Sequence, residues 1–201
     1  MAVGILGGVF DPPHNGHVAL ARAAAEELGL ERLLVLVVAD PGHKDTGTPA
    51  ATRLELARLA FEDVLSATLE LDPHARTVDS LEERQVDDAI FILGADELAG
   101  FESWKSPRRV LELVRVAVAV RPGVSRDEVR AVRERLEAPG RILEFEMEPV
   151  DVSSSEIRAR VARGEPIDGL VPRAVGDAIV RLGLYRSGEY TAAKREGRET
   201  D

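Results

Sequence analysis

The sequence predicts an α/β fold of the doubly wound kind, in which helices cover both faces of a parallel sheet. Short apolar runs alternate along the chain with segments whose apolar residues recur at helical spacing. The runs are apolar almost without interruption, which is typical of parallel strands that are buried on both faces. This alternation implies βαβ units with right-handed crossovers, and therefore strands that run parallel in one sheet.

Five segments are the predicted strands, and the last is the weakest candidate. Each has the length of an ordinary strand. In chain order they are Ala2–Leu6, Leu33–Val38, Ala89–Leu93, Val116–Val120 and the weaker Ile142–Phe145.

Helical patterns lie between and after these strands. They cover Val18–Leu28, Thr52–Val64, Pro107–Val114, Arg126–Leu136, Ser155–Arg163 and Pro172–Leu182. The last helix opens with a proline and stops at Gly183, which are usual residues for helix boundaries. We expect residues 1–186 to form one domain, because no repeat or low-complexity linker divides them. The polar segment 187–201 is expected to be a flexible tail.

Composition narrows the class of protein. A chain of 201 residues, 44% of them hydrophobic, suits one α/β domain with its own core. The formal net charge of −10 argues against binding of nucleic acid or an anionic membrane, since both select basic faces. The chain has no cysteine, which excludes disulfides, thiolate nucleophiles and cysteine-based metal sites. No segment is typical of a secretion signal or a membrane span, so we expect a cytoplasmic protein.

The stretch GGVFDPPHNGH, Gly7 to His17, follows the first predicted strand and leads into the first helix. In open α/β sheets, ligands bind beyond the carboxyl ends of the strands. Gly7 and Gly8 allow a ligand to approach the backbone, and His17 falls in the first turn of the helix. A helix N-terminus favours an anion, and the imidazoles of His14 and His17 add donors for a phosphate.

Two further roles for the histidines stay open from the residues alone. The first is a structural role, in which His14 caps the helix or fills a turn. The second is a metal site, but zinc needs three or four ligands and only His43 and His74 remain in a chain without cysteine. The phosphate interpretation accounts for the glycines, prolines and histidines together.

The stretch resembles the GxFDPxHxGH signature of the nucleotidyltransferase superfamily, which implies a Rossmann-like nucleotidyltransferase fold. The resemblance implies that His14 and His17 bind the phosphates of a nucleoside triphosphate. By itself this signature covers both adenylyltransferases and cytidylyltransferases, so it indicates the superfamily and leaves the acceptor open.

A second anion site is predicted at SSSEIR, Ser153 to Arg158. The serines precede a helix and supply hydroxyls, free N–H groups and a cation at its N-terminus. An ordinary capped helix is the alternative. The stretch resembles the (I)SSTxIR motif of the same superfamily, which binds the triphosphate, with Ser155 in place of threonine. The two motifs occur in the order the superfamily has.

Three further stretches resemble the bacterial nicotinate-nucleotide adenylyltransferases. GHK, with Arg53 downstream, is similar to their PPHK…R stretch, with Gly42 for the second proline. Lys44 supplies a point charge for phosphate, whereas Arg53 is equally explained as a surface cation. FILGADELAGFESWK…RPG is similar to their GAD…W…RPG segment. This resemblance implies that Asp96 belongs to the nucleotide pocket, that Trp104 stacks on the pyridine ring, and that Arg121 supports the site electrostatically.

ARTVDSL, Ala75 to Leu81, resembles the SYTVDTL segment of that family, whose threonine backbone helps to hold the nicotinate carboxylate. Thr77 is the matching threonine. Ala75 and Arg76 replace the Ser-Tyr pair, and Lys105 stands where a tyrosine often follows the tryptophan. Added cations would suit a carboxylate better than a neutral amide.

Together these resemblances imply adenylyl transfer from ATP to nicotinate mononucleotide, giving deamido-NAD and pyrophosphate. The predicted catalytic residues are His14, His17, Lys44 and Arg158. The predicted ATP-binding residues are Gly7, Gly8, Phe10, His14, His17, Asp96, Ser153, Ser154, Ser155 and Arg158. The predicted substrate-binding residues are Asp11, Lys44, Thr77, Trp104, Lys105 and Arg121. Mg²⁺ is expected to arrive with ATP, without a metal cage built by the protein.

Three alternatives differ in class. A sister enzyme would adenylylate nicotinamide mononucleotide or phosphopantetheine. A nucleotide-binding regulator would keep the fold without catalysis, and a metal-dependent hydrolase would use His14 and His17 as ligands. In each case the partners are small molecules, and the sequence leaves a homo-oligomer open.

Overall fold

The computed structural model describes residues 2–42, 46–120, 126–136, 138 and 140–186. Within them, six parallel strands form one sheet. The strands are β1 (Val3–Gly8), β2 (Arg32–Val38), β3 (Ala67–Asp72), β4 (Ala89–Leu93), β5 (Arg115–Val120) and β6 (Ile142–Glu146). The helices are α1 (Asn15–Glu27), α2 (Ala50–Ala60), α3 (Thr77–Arg84), α4 (Ala95–Phe101), α5 (Pro107–Leu113), α6 (Arg126–Arg135), α7 (Ser154–Arg163) and α8 (Arg173–Leu182).

The strand order places a topological switch in the middle of the sheet. The order is β3-β2-β1-β4-β5-β6, so the chain builds outward from β1 and then returns to start the other half at β4. The connection that follows β1 therefore leads to one side of the sheet, and the connection that follows β4 leads to the other side. This arrangement opens a crevice at the carboxyl ends of those two strands, where doubly wound proteins bind their ligands.

Two apolar clusters cover the two faces of the sheet. In β4, Ile90 and Ile92 belong to one cluster, while Phe91 and Leu93 belong to the other. The first cluster includes apolar residues of α1, α2, α7 and α8, and the second includes residues of α3, α4, α5 and α6. Burial on both faces explains why the central strands are continuously apolar in sequence.

The predicted α/β fold class is confirmed, and each of the five predicted strands is present. The first strand was predicted too short. It continues through Gly7 and Gly8, which lie inside β1 and not after it. No helix in the described part of the chain is long and apolar enough to cross a membrane.

Three elements were missed in the sequence. β3 is an edge strand that pairs only with β2, and its residues are mostly half-exposed or exposed, so it lacks a continuous apolar run. Helix α3 is 8 residues long and helix α4 is 7 residues long, too short for their periodicity to stand out. The predicted tail, 187–201, lies outside the described residues, and its flexibility stays a prediction.

Arg53 ties together the loops that follow β1 and β2. Its side chain is 1% exposed, and its Nε donates to the Thr48 carbonyl at 3.1 Å. Its other nitrogens donate to the carbonyls of Val9 at 2.8 Å, Val38 at 2.8 Å and Ala39 at 2.9 Å. These four bonds occupy the guanidinium inside the protein, so Arg53 is a structural residue and not the surface cation that the sequence allowed.

Replacing Arg53 with methionine should destabilise the protein strongly. The substitution keeps an apolar stem but leaves four carbonyl oxygens without their donor, and the expected loss in the free energy of unfolding is at least ~3 kcal/mol. Urea denaturation measures this loss. Arg58→Met on the same helix is the matched control, because Arg58 is exposed and its replacement should change the free energy by less than ~0.5 kcal/mol. Equal effects of the two substitutions would contradict the structural role.

Candidate active site

A crevice of about 860 Å³ opens at the carboxyl ends of the strands. Its walls come from the segments that follow β1, β2, β3 and β4 and from the start of α7. Among the predicted site residues, the described ones that line it are Gly7, Gly8, Phe10, Asp11, His17, Thr77, Trp104, Lys105, Ser154, Ser155 and Arg158. The chain thus brings both motifs and the tryptophan segment to one cavity.

His17 lies at the third position of α1 and lines the crevice. The backbone N–H of His14 donates to its Nδ1 at 3.2 Å, so a neutral ring carries its proton on Nε2. Phe10 packs edge-on against the same ring, with centroids 5.0 Å apart. Burial and, to a lesser extent, the neighbouring His14 lower its pKa to about 3. At neutral pH His17 is therefore an uncharged donor with a fixed tautomer.

His14 stacks on His17 and precedes α1 as its N-cap residue. The ring centroids are 3.7 Å apart at an angle of 27°. Burial lowers the pKa of His14 to about 4, and its buried Nδ1 has no hydrogen-bond partner among the described residues. The ring lies behind His17 and does not line the crevice itself, so the two predicted phosphate ligands occupy different positions.

These lowered pKa values should make the protein sensitive to acid. Ordinary histidines have a pKa of 6.5, so the unfolded chain binds more protons than the folded one between pH 6.5 and the folded pKa values of about 4 and about 3. The free energy of unfolding should fall as the pH drops through this window. Replacing both histidines with glutamine should remove on the order of 3 kcal/mol of that fall between pH 7 and pH 4.5.

Urea denaturation of the wild type and the double variant at a series of pH values measures this difference in the free energy of unfolding. The carboxylates are the same in both proteins, so their contributions cancel. Parallel curves for the wild type and the double variant would show that the two imidazoles are not held neutral by the fold.

The N-terminus of α7 is joined to the loop that carries the histidines. Ser154 Oγ donates to the Pro12 carbonyl at 2.8 Å, and Arg158 Nη1 donates to the Asp11 carbonyl at 2.6 Å. Arg158 Nη2 also donates to Ser155 Oγ at 3.3 Å. These contacts set the amino ends of α1 and α7 side by side. Two helix N-termini and a guanidinium at one place make a site for a polyanion.

The three serines have different roles in this geometry. Ser153 accepts from the backbone N–H of Glu156 at 3.2 Å and caps α7, and it does not line the crevice. Ser154 and Ser155 do line it, while making the contacts to Pro12 and Arg158. The predicted role of Ser153 as a direct ATP ligand stays a prediction, and the structure assigns its hydroxyl to the helix cap.

Asp11 is buried at 5% exposure, and the Tyr185 hydroxyl donates to its Oδ1 at 2.7 Å. Tyr185 follows α8 near the end of the described chain. Burial, and secondarily the charge of Asp11, raises the pKa of its phenol, which stays protonated as the donor. Asn15 makes a similar link, since its Nδ2 donates to the Gly169 carbonyl at 2.7 Å. The sequence contains no local signal for either contact, because the partners are more than 150 residues apart.

A side chain at either of the two glycines that end β1 would crowd a neighbouring aromatic ring. A Cβ on Gly8 would meet Phe10 Cζ at 2.8 Å, and one on Gly7 would meet Phe91 Cζ at 3.2 Å. Either change would push an aromatic ring that shapes the crevice. The Phe10 ring in turn supports His17, so these glycines act on the site through packing.

Trp104 lines the crevice from the loop after α4, at the end where this loop meets the start of α3 through the contact of Lys105 with Asp79. Its ring packs edge-on against Phe91 with centroids 6.0 Å apart and at a tilt against Phe101 at 5.1 Å. Thr77, the first residue of α3, lines the same end. Lys105 also lines it, and its Nζ donates to Asp79 Oδ1 at 2.7 Å, so its charge is already paired.

Three predicted site residues cannot be placed. Lys44 and Arg121 lie outside the described residues, and the same holds for the side chain of Asp96, whose backbone is in the first turn of α4. Pro41 and Thr46, on either side of the segment with Lys44, line the crevice. The roles predicted for these three residues stay predictions.

Sequence reasoning missed the wall that β3 contributes. Asp72, at the end of β3, is 4% exposed and lines the crevice together with His74. His74 contacts Asp72 at 3.1 Å and Glu83 at 3.0 Å. A correct prediction of β3 would have placed these residues at the carboxyl edge of the sheet, where chemistry is expected.

The described residues contain no group of three or more acidic or histidine side chains arranged to hold a metal ion. The crevice instead offers neutral imidazole, hydroxyls, a guanidinium and backbone N–H groups beside α1 and α7, and an aromatic face in the loop after α4. A parallel sheet with two anion-binding helix ends at its switch point defines a nucleotide-binding α/β protein.

Comparison with known proteins agrees with this class. A family model described as cytidylyltransferase-like matches residues 5–160. A protein of Rubrobacter xylanophilus named probable nicotinate-nucleotide adenylyltransferase is 39% identical over 199 residues, covering 93% of each chain. One of the same name from Thermus thermophilus is 37% identical over 195 residues, covering 92% of this chain and 100% of its own.

This chain belongs to the cytidylyltransferase-like family and, within it, to the nicotinate-nucleotide adenylyltransferases, which are enzymes of the nucleotidyltransferase class. The resemblance inferred from the motifs is thereby confirmed.

Solved structures agree in fold. The Plasmodium falciparum nicotinic acid mononucleotide adenylyltransferase complexed with NaAD aligns with a TM-score of 0.76 and 17% identity, over 92% of this chain and 97% of that one. The same enzyme complexed with APC gives a TM-score of 0.74 and 16% identity, over 92% and 96%. At such identity the likeness establishes the Rossmann-like architecture.

Proposed function

We propose that this enzyme transfers the adenylyl group of ATP to nicotinate mononucleotide, giving deamido-NAD and pyrophosphate. The relatives' names support this reaction. The single observation that supports its location most strongly is the junction of α1 and α7, where Arg158 and Ser154 bind the loop that carries His14 and His17. An aromatic face, that of Trp104, lines the same crevice.

The reaction requires no nucleophile from the protein. An oxygen of the nucleotide's 5′-phosphate bonds to the α-phosphorus of ATP while the bond from that phosphorus to the bridging oxygen breaks. The electron pair of that bond leaves with pyrophosphate. The attacking phosphate is already anionic at neutral pH, so the enzyme accelerates the step by aligning the two phosphates and stabilising the charge on their oxygens.

His17 is the residue best placed to act on the reacting phosphorus. The residue lines the crevice and its neutral ring carries a donor at Nε2, while the backbone of His14 and the ring of Phe10 fix its orientation. A neutral donor whose tautomer is set beforehand does not have to reorganise as charge develops on the α-phosphate. His14 supports this position by stacking on the His17 ring and by presenting its backbone N–H.

The amino end of α7 would hold the rest of the triphosphate. Arg158 carries the charge, and the hydroxyls of Ser154 and Ser155 border the crevice beside it. Pyrophosphate is the leaving group, so cations here stabilise the bond-breaking side of the transition state. Lys44 would add a point charge to the same region.

Mg²⁺ belongs to the substrate, bound as MgATP. Hard cations of this kind are commonly held by phosphate oxygens and water, with few protein ligands. The metal neutralises phosphate charge when bound, and the residues at α1 and α7 bind and orient the phosphate chain.

The acceptor occupies the Trp104 end, where a pyridine ring can stack on the indole. Phe91 and Phe101 fix that indole from behind, so little side-chain entropy is lost on stacking. Thr77 would hold the nicotinate carboxylate through its backbone at the start of α3. The cytoplasmic location and a homo-oligomer stay predictions.

Substitution of His17 tests this function. Asparagine places an amide oxygen near the position of Nδ1 and so keeps the contact with the His14 N–H, but it has no donor where Nε2 stands. The expected loss in kcat is at least ~100-fold, with the midpoint of urea unfolding changed little. Pyrophosphate release from MgATP and nicotinate mononucleotide measures kcat.

A Ser103→Ala variant is the matched control, because Ser103 lines the crevice while its hydroxyl donates to the Gly100 carbonyl within its own turn. It should retain kcat within about threefold, since only a local turn contact is lost. Wild-type turnover by His17→Asn would refute the role of the imidazole and, with it, the proposed location of the chemistry.

A further inference from the structure

We propose that Arg76 selects a carboxylated pyridine nucleotide, by pairing its guanidinium with the carboxylate on the pyridine ring. This inference rests on the proposed function and deepens it, because it names one side chain that discriminates nicotinate from nicotinamide mononucleotide. Two cations, Arg76 and Lys105, line the end of the crevice where Trp104 stands. The structure separates their roles.

Lys105 has no free charge to offer. Its Nζ contacts both carboxylate oxygens of Asp79, at 2.7 Å and 3.0 Å. Asp79 belongs to the first turn of α3, so this ion pair bridges the tryptophan loop to that helix. The pair is partly exposed and contributes little stability. Its effect on a ligand is to cancel the lysine charge and, equally, to remove the repulsion that Asp79 would exert on a carboxylate.

Three other charged or titratable groups in the described lining, Asp72, His74 and Glu97, also have partners. Asp72 accepts from the backbone N–H and the ring of His74, and Arg84 Nη2 lies 3.7 Å from it. His74 in turn contacts Glu83 at 3.0 Å. Further along the wall, the Glu97 carboxylate accepts the Gly94 N–H at 2.8 Å. Each of these crevice-lining groups has a partner that holds it in place.

Arg76 differs from all of them. Its side chain is exposed, lines the crevice, and has no hydrogen bond or ion pair with any described residue. It is the N-cap residue of α3, directly before Thr77, and its backbone carbonyl accepts from Asp79 and Ser80. The backbone is therefore fixed, while the guanidinium has no partner among the described residues. It lies at the start of the helix that the Lys105–Asp79 contact joins to the tryptophan loop.

An unpaired guanidinium at this place suits a planar carboxylate. Arginine binds a carboxylate through two parallel N–H donors, whereas a neutral amide offers only one acceptor oxygen and repels N–H donors with its own NH₂ group. The carboxylate lies far from the reacting phosphorus, so the same contact is present in the ground state and the transition state. Its loss should therefore raise KM and leave kcat nearly unchanged.

The experiment compares wild type, Arg76→Gln and Arg76→Lys with nicotinate and nicotinamide mononucleotides. Isothermal titration calorimetry gives the dissociation constant of each nucleotide, with and without a non-hydrolysable ATP analogue, and pyrophosphate release gives kcat and KM. Arg76→Gln should weaken the binding of nicotinate mononucleotide about tenfold and that of nicotinamide mononucleotide less than ~twofold. Arg76→Lys should recover part of the preference, and 0.5 M salt should reduce it in the wild type.

Arg173→Gln is the control for loss of one positive charge, since Arg173 is a 95% exposed residue on α8. It should leave the ratio of the two dissociation constants unchanged. The inference is overturned if the ratio of the two dissociation constants in Arg76→Gln stays within twofold of the wild-type ratio. It is also overturned if the wild type does not bind nicotinate mononucleotide. The two proposals can fail separately. If Arg76→Gln loses the binding preference but the wild type makes no deamido-NAD, the proposed reaction is refuted while the role of Arg76 in recognition is supported.

Discussion

The contact between the start of α7 and the loop after β1 is the constraint on which the site depends. Arg158 and Ser154 bind the carbonyls of Asp11 and Pro12, across 147 and 142 residues of sequence. These bonds bring two helix N-termini together, and two such termini at one place favour a polyanion more than either does alone. The sheet makes the contact possible, because the strand order brings the ends of distant segments to one edge.

The buried histidines give this junction its electrostatic character. An imidazolium would attract phosphate more strongly, but the fold holds both rings neutral and lowers their pKa values to about 4 and about 3. Burial therefore disfavours the charged imidazolium and leaves neutral rings, and the ring of His17 is held in one tautomer and one orientation. A bound polyanion would raise both pKa values, since an opposite charge favours the protonated form. The positive charge of the junction therefore comes from Arg158, while the two imidazoles stay neutral until an anion binds.

Much of the fold was predictable, because four of the six strands are buried on both faces and read as apolar runs. Edge position hid β3, whose Leu71 is 37% exposed, and shortness hid α3 and α4. The HxGH and SSSEIR motifs predicted helix starts around His17 and at the serines, and the structure has α1 and α7 begin there. Which atoms the hydroxyls and guanidinium contact was beyond sequence reasoning, since those contacts join segments that only the folded sheet brings together.

Burial in the fold also distinguishes two arginines, one structural and one at the crevice. Arg53 and Arg158 look alike in sequence, each near the start of a helix that follows a strand or loop. The fold buries Arg53 among four carbonyls and leaves Arg158 at the crevice wall. The contact of Tyr185 could not be predicted either, because no residue near it in the chain indicates that its hydroxyl donates to Asp11. Residue type and spacing indicate a chemistry, and packing selects which copies of the residue perform it.

The most direct test of the central claim is the acceptor specificity of the purified protein. Pyrophosphate release from MgATP is measured with nicotinate mononucleotide, nicotinamide mononucleotide and phosphopantetheine, and the dinucleotide product is identified by mass. The expected result is fastest release with nicotinate mononucleotide and a product with the mass of deamido-NAD. Equal rates with the two pyridine nucleotides, or no release with any acceptor, would contradict it.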